Sequence, residues 1–345
     1  MNRDQPDFPN APAADGWKVL AGARFALAFV VVCGHLFRFV QPDQIGNKVF
    51  LELGSFGAVA AVFGFLVISG FSIAHSITTQ PHGFYRRRAW RIYPLYVCGI
   101  LASLIPFAFV GSRIETFNSQ FLSPGLDTLA GNFVFLQGFL YRPLSTNAPL
   151  WTLSVEVFCY ILAPVFVRLH SGVLLALVGI SAIAFGIFPR LGLPFYSGLL
   201  YGGPAVFLLW AWLGGFVFYS KRHAPAYQFA LVGLGALLFS LNSVFNTKLA
   251  IFTFVASTLV VVYCDRLPLR GPALRVLNYL GELSYPLYVL HYPVLVIAYA
   301  VLQIRSAPMM ILLTLLAAAI FYHAVDRPLR VRRRSQRAAS SATTG

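Results

Sequence analysis

Two ionisable side chains, Arg24 and His35, stand at the ends of an otherwise apolar stretch, RFALAFVVVCGH, near the start of the chain. Charge inside an apolar segment is costly and, where the segment crosses a bilayer, marks function by default. Eleven residues are about three helical turns, so the two side chains share one helix face about 16 Å apart along the axis. A guanidinium can hold an anion and an imidazole can act as a general base. A lone histidine there also fits a hydrogen-bonded packing role.

Four further clusters carry chemistry. In FYRRRAWRIYPLY, residues 84–96, Arg86, Arg87, Arg88 and Arg91 offer planar donors to phosphate, and aromatic neighbours, Tyr93 among them, offer a stacking face for a nucleobase. The same arginines also fit a topological anchor at lipid headgroups. PLWTLSVEVFCY presents Trp151, Ser154 and Glu156, and a carboxylate there can orient an imidazole or simply serve packing. Glu156 is expected at the outer end of its span, at a depth comparable to that of His35, so that the two could meet. GFLVISGF contains Ser69 and Gly70, small residues that favour close helix approach; Ser69 has no base nearby in sequence to make it a nucleophile. LGELSYPLYVLHYPV sets Ser284, Tyr288 and His291 on one helical face, as an interhelical hydrogen-bond network or as part of a site. HExxH, Cys-x-x-Cys, phosphate-loop and dinucleotide-binding motifs do not occur, so no metal is expected.

The elements that position these residues follow from composition. Of 345 residues 58% are hydrophobic and 11% charged, against about 25% charge in a soluble domain. The bilayer must be the solvent. The sequence predicts an all-α, polytopic membrane protein of about ten transmembrane helices: 17–40, 50–77, 92–111, 150–168, 172–189, 204–220, 226–243, 248–264, 279–303 and 308–325. Residues 128–140 are apolar but too short to cross, and read as an interfacial or re-entrant helix. A leader (1–16), one membrane domain (17–325) and a basic tail (326–345) result, with no cleavable signal expected. Cys33, Cys98, Cys159 and Cys264 all fall in or at the ends of predicted spans without paired spacing, which suits packing. Threading the spans from a cytoplasmic N-terminus puts 18 of the 26 lysines and arginines on the inner side, so both termini are expected in the cytoplasm. The net charge of +15 is thereby explained without a nucleic-acid partner. No inverted repeat of the transporter kind is visible.

Taken in order, RFALAFVVVCGH, GFLVISGF, FYRRRAWRIYPLY, PLWTLSVEVFCY, GELSYPLYVLH and VDRPLR resemble the acyltransferase family 3 membrane proteins, over nearly the whole chain from Trp17 to about Arg334. The resemblance implies a ten-span enzyme of the bacterial plasma (inner) membrane that moves an acyl group, usually acetyl, from cytoplasmic acyl-CoA to a hydroxyl of a carbohydrate acceptor. It implies His35 as catalytic base, Arg24 on the donor path, and Arg88 and Arg91 in CoA recognition, with Glu156 as a further catalytic candidate. Ser69 and Tyr93 join the donor-binding candidates; Trp151, Ser154 and His291 are candidates for acceptor binding. Where the family carries paired glutamates this chain has Glu156–Val157, and its late Glu-x-Pro motif reads Asp326–Arg327–Pro328. The expected form is the stand-alone one, without an SGNH domain, acting alone, as a homo-oligomer or in a polysaccharide assembly complex. A transporter or flippase of a glycan or lipid intermediate is the alternative reading, with Arg24, Glu156 and His291 as substrate or proton sites.

Overall fold

In the computed structural model the described residues are 11–331, apart from 45, 196, 197, 243, 245, 246, 268 and 270. Most of the leader, Arg270 and the arginines of 332–337 therefore lie outside the described residues. The chain is nearly all helical: α1 (Ala14–His35), α2 (Asn47–Gly54), α3 (Ala58–Thr79), α4 (Phe84–Val110), α5 (Leu126–Phe133), α6 (Trp151–Phe166), α7 (Ser171–Ile187), α8 (Gly203–Lys221), α9 (Pro225–Leu241), α10 (Ala250–Tyr263), α11 (Pro272–Ala300) and α12 (Ala307–Phe321). Among the described residues eight helical segments are long and apolar enough to cross a membrane, while α9 and α10, with 17 and 14 residues, are shorter. At 1.5 Å per residue α10 reaches about 21 Å, less than the hydrocarbon thickness.

Three predicted boundaries move. The segment 50–77 is two helices, α2 and α3, because the chain turns at Gly57 with φ +87°, a conformation that an L side chain resists. α4 begins at Phe84 rather than 92, so Arg88 and Arg91 are helical, and α11 begins at Pro272 rather than 279. The fold also departs from all-α in a small antiparallel hairpin of β1 (Arg113–Glu115) and β2 (Gln120–Leu122), in which Ile114 faces Phe121.

Residues 126–141 hold one helix of only eight residues, α5, too short to span a bilayer. After the two turns of α5 the chain doubles back and wedges against α4 with its polar groups satisfied. Tyr96 donates to the Asn132 carbonyl (2.6 Å), Asn132 Nδ2 donates to the carbonyls of Thr128 and Arg142, and Gln137 donates to Tyr96 and to the Leu150 carbonyl. Irregular backbone at membrane depth is tolerated only when it is bonded in this way.

Close helix contacts bring the chemistry-bearing segments together. Glycine lets α3 and α8 meet backbone to backbone: a Cβ on Gly70 would collide with the Trp212 carbonyl, and one on Gly215 with the Val67 carbonyl. Likewise α1 and α11 pack side by side, Gly22 against Leu277 and Gly281 against Ala21. In α11 Pro293 lacks the N–H that would bond the Val289 carbonyl. Asn147, in the 3-10 turn Ser145–Leu150, donates to that carbonyl instead (3.0 Å).

Candidate functional site

The site is built along α1. At one end Arg24 meets Arg88 and Arg91 from α4, three residues apart and so on one face. These guanidiniums line two adjoining cavities. The outer, of about 310 Å³, has polar walls from Trp17, Ser72, His75, Ser76 and Thr79. The inner, of about 100 Å³, runs deeper between α3, α4, α6 and α11 and is walled by Phe65, Leu66, Ile92, Leu153, Tyr285 and Tyr288 among others. Arg87 faces away, its guanidinium donating to the carbonyls of Gln80 and His82.

Glu156 lies in the inner cavity, which corrects its expected place beside His35 at the outer end of the span. Its Oε1 accepts from Ser69 Oγ (2.7 Å) and from Tyr160 OH, one helical turn on. The fold thus gives Ser69 the carboxylate partner that its sequence neighbours lack. Gly70 next to it makes the close helix contact, so the two small residues divide the roles left open for them. Arg88 also lies over the rings of Phe84 and Tyr160, 5.6 and 5.9 Å from their centroids, and its Nε is buried with no hydrogen-bond partner among the described residues. Three guanidiniums therefore face one carboxylate whose oxygen is already engaged by two hydroxyls. An anionic group fits the surplus charge and the spare donors.

His35 belongs to a different environment. It is the last residue of α1, and its ring stacks on that of His291 from α11, centroids 5.4 Å apart and planes 23° apart. Tyr292 presents its edge to both, at 5.0 and 6.0 Å. Beyond lies an aromatic plug in which Phe39 and Phe121 stack at 6.1 Å and each meets Tyr292 at 6.0 Å. Phe121 comes from the hairpin, which is clasped to the end of α1: Asn118 donates to the carbonyls of Phe37 (2.9 Å) and Arg38 (3.1 Å), and Arg38 donates to Ser119 (2.6 Å). Carbonyls left open where a helix ends are closed by this turn.

Tyr288 connects the two ends. It lines the inner cavity, bonds Thr152 through its hydroxyl (2.5 Å), and its ring lies 5.8 Å from that of His291. Of the sequence-derived candidates the structure therefore gathers Arg24, Arg88, Arg91, Ser69 and Glu156 in one group and His35 and His291 in another.

Three candidates fall outside both groups. Tyr93 is two positions from Arg91 and so projects from the opposite side of α4, where it is half exposed against Phe135. Ser154 closes on its own helix by donating to the Trp151 carbonyl (2.7 Å), and neither Ser154 nor Trp151 lines the cavities. Thr152, Tyr160 and Tyr285 were not singled out from sequence, yet they line the inner cavity. Helical spacing of four on either side of Glu156 was the signal for the first two.

Comparisons with known proteins place the chain among acyltransferases. A model of the third acyltransferase family, described as an acyltransferase domain, matches residues 18–323. The acyltransferase MdmB of Streptomyces mycarofaciens is 31% identical over 163 residues, 44% of this chain and 39% of that protein. ORF330 of Acidianus two-tailed virus, named as a candidate acetyltransferase, is 27% identical over 267 residues, 73% of each chain. The match thus covers about two fifths of the first relative and about three quarters of the second. No solved structure matches the chain.

Proposed function

Because this chain belongs to the third acyltransferase family, over residues 18–323, and is an integral membrane protein, we propose that it transfers an acyl group from acyl-CoA to a hydroxyl of a carbohydrate. Acetyl is the proposed group, and a polysaccharide, a lipid-linked glycan or a glycoside the proposed acceptor. The observation that carries this reading is the surplus of guanidinium over carboxylate in a cavity walled by Tyr288, whose ring lies 5.8 Å from His291 of a buried, stacked histidine pair.

The arginine end takes the donor. Phosphates of CoA pair with Arg88 and Arg91 in the wide polar cavity, and the pantetheine arm enters the narrower, more apolar one past Arg24. Glu156 limits the positive charge and holds Ser69 and Tyr160 in place. The thioester reaches the wall at Tyr288, and the acceptor hydroxyl is activated at the His35–His291 pair and attacks the thioester carbonyl directly. The basic residues of the chain favour the arginine end as the cytoplasmic one, in a bacterial plasma membrane, because 18 of 26 follow the inner loops of the ten-span threading. The hairpin end then faces the acceptor.

The test uses membranes containing the full chain and isotopically labelled acetyl-CoA. Label is expected in the glycan fraction of the wild type and absent from that of His35→Ala. Movement of an unmodified glycan across the bilayer without acetyl-CoA, and with no label incorporated, would overturn the enzyme reading in favour of transport.

A further inference from the structure

We infer that His291 is a second catalytic residue, whose Nε2 takes the proton of the acceptor hydroxyl while His35 holds that hydroxyl in position. This rests on the acyl-transfer reading and assigns the base within it.

Tautomer geometry distinguishes the two rings. His291 Nδ1 lies 2.7 Å from the Tyr288 carbonyl oxygen. A carbonyl only accepts, so Nδ1 carries the hydrogen and Nε2 of the neutral ring is a bare lone pair. That arrangement, one nitrogen anchored by donation and the other free, is how a general-base imidazole is oriented. His35 has no such anchor, and its Nδ1 is buried with no hydrogen-bond partner among the described residues.

His291 is 0% exposed and its Nε2 likewise has no partner among the described residues. A buried polar atom without a partner is uncommon in a folded protein and calls for a reason. A packing histidine has no use for an unpartnered nitrogen beside a second one on the ring stacked against it. Two such nitrogens on stacked rings suit one hydroxyl: His291 Nε2 accepts its hydrogen, and an N–H of His35 donates to its oxygen. The surroundings keep the ring in place. Asn147 holds the Val289 carbonyl next to the proline bend, and Tyr292 packs its edge against both rings.

The step balances. The hydroxyl oxygen bonds to the acyl carbon, its hydrogen passes to His291 Nε2, and the carbon–sulfur bond of the thioester breaks. The imidazolium then returns the hydrogen to the thiolate, leaving an ester and free CoA thiol.

The experiment compares His291→Asn, His291→Gln and His291→Ala in membranes containing the full chain, reading acetyl transfer from labelled acetyl-CoA into the glycan fraction. Asparagine keeps a donor near Nδ1, and glutamine keeps an acceptor near Nε2 that cannot take a proton. Both are expected to lower the rate at saturating acetyl-CoA by about 100-fold or more, with half-saturating acetyl-CoA changed by less than about two-fold. Added imidazole is expected to restore His291→Ala by at least about ten-fold. Retention by either the Asn or the Gln variant of a rate within about ten-fold of wild type would overturn the assignment. So would loss of folding in all three variants with no rescue by imidazole, which makes the role structural. Wild-type membranes that incorporate no acetyl would sink the acyl-transfer reading itself, before any variant is compared.

Discussion

The two ends of α1 are built on opposite principles. Around Arg24 the walls bring cations together, with Arg88 and Arg91 facing the single carboxylate of Glu156. Around His35 the neighbours are chiefly aromatic: His291 and Tyr292 lie against its ring, Phe39 and Phe121 pack behind Tyr292, Arg38 is tied to Ser119 close by, and each of the two imidazoles keeps a buried nitrogen with no partner among the described residues. Excess charge in an apolar bundle is stable only when something anionic shares it, whereas unpartnered ring nitrogens among aromatic walls suit a polar group such as a hydroxyl. One helix therefore carries a binding end and a chemical end, and each can be altered without the other.

The sharpest way to break that comparison is at the chemical end. His35→Ala is expected to lower acetyl transfer by about 10³-fold, within the range of acid–base effects, while acetyl-CoA still protects the protein from thermal unfolding. Arg88→Ala should do the reverse. The concentration of acetyl-CoA giving half-maximal rate rises about 10- to 100-fold, as expected for loss of charge-assisted bonds, and the saturated rate stays within a few-fold. A fall in saturated rate with unchanged half-saturation would show that Arg88 acts on the chemistry instead.

Ser69 sharpens the boundary between the ends. Its bond to Glu156 gives it the contacts of a nucleophile beside a base, yet it lies in the donor cavity, apart from the histidine pair. For direct transfer, acetyl-CoA mixed with the protein in the absence of acceptor leaves no stable acyl group on Ser69, read by peptide mass spectrometry. A labelled Ser69 peptide would establish an acyl-enzyme route. A smaller effect belongs to Asn147. Its replacement by alanine removes the donor to the Val289 carbonyl and should destabilise the fold by about 1–2 kcal/mol in chemical or thermal melts. Smallest of all is Tyr93→Ala, which should leave transfer and acetyl-CoA dependence unchanged because its ring faces away from the cavities.

The sequence made α1 legible in some detail. The spacing of Arg24 and His35 placed them on one face, and in the structure both turn inward toward α11 and its neighbours. The helices were legible too, since apolar runs of sufficient length announce themselves. Which helices meet was not. A helix immersed in lipid is apolar on all sides, so no amphipathic stripe tells which face packs inward. Ser69 and Glu156 are 87 positions apart and meet across α3 and α6. His35 and His291 meet only because Gly22 and Gly281 let α1 and α11 lie close together. The break at Gly57 and the hairpin beside the end of α1 were hidden for other reasons: the first is a short irregular piece inside a stretch read by average hydropathy, and the second lies in a connection between spans whose three-residue strands are too short to show a period.

Binding of acetyl-CoA to the purified protein, compared across wild type, Arg88→Ala and His35→Ala, tests the division between the two ends most directly. Wild type and His35→Ala should bind with dissociation constants within about two-fold of each other, while Arg88→Ala weakens by about ten-fold or more. Equal loss of binding in His35→Ala and Arg88→Ala, or no binding by wild type, would contradict a donor site at the arginine end.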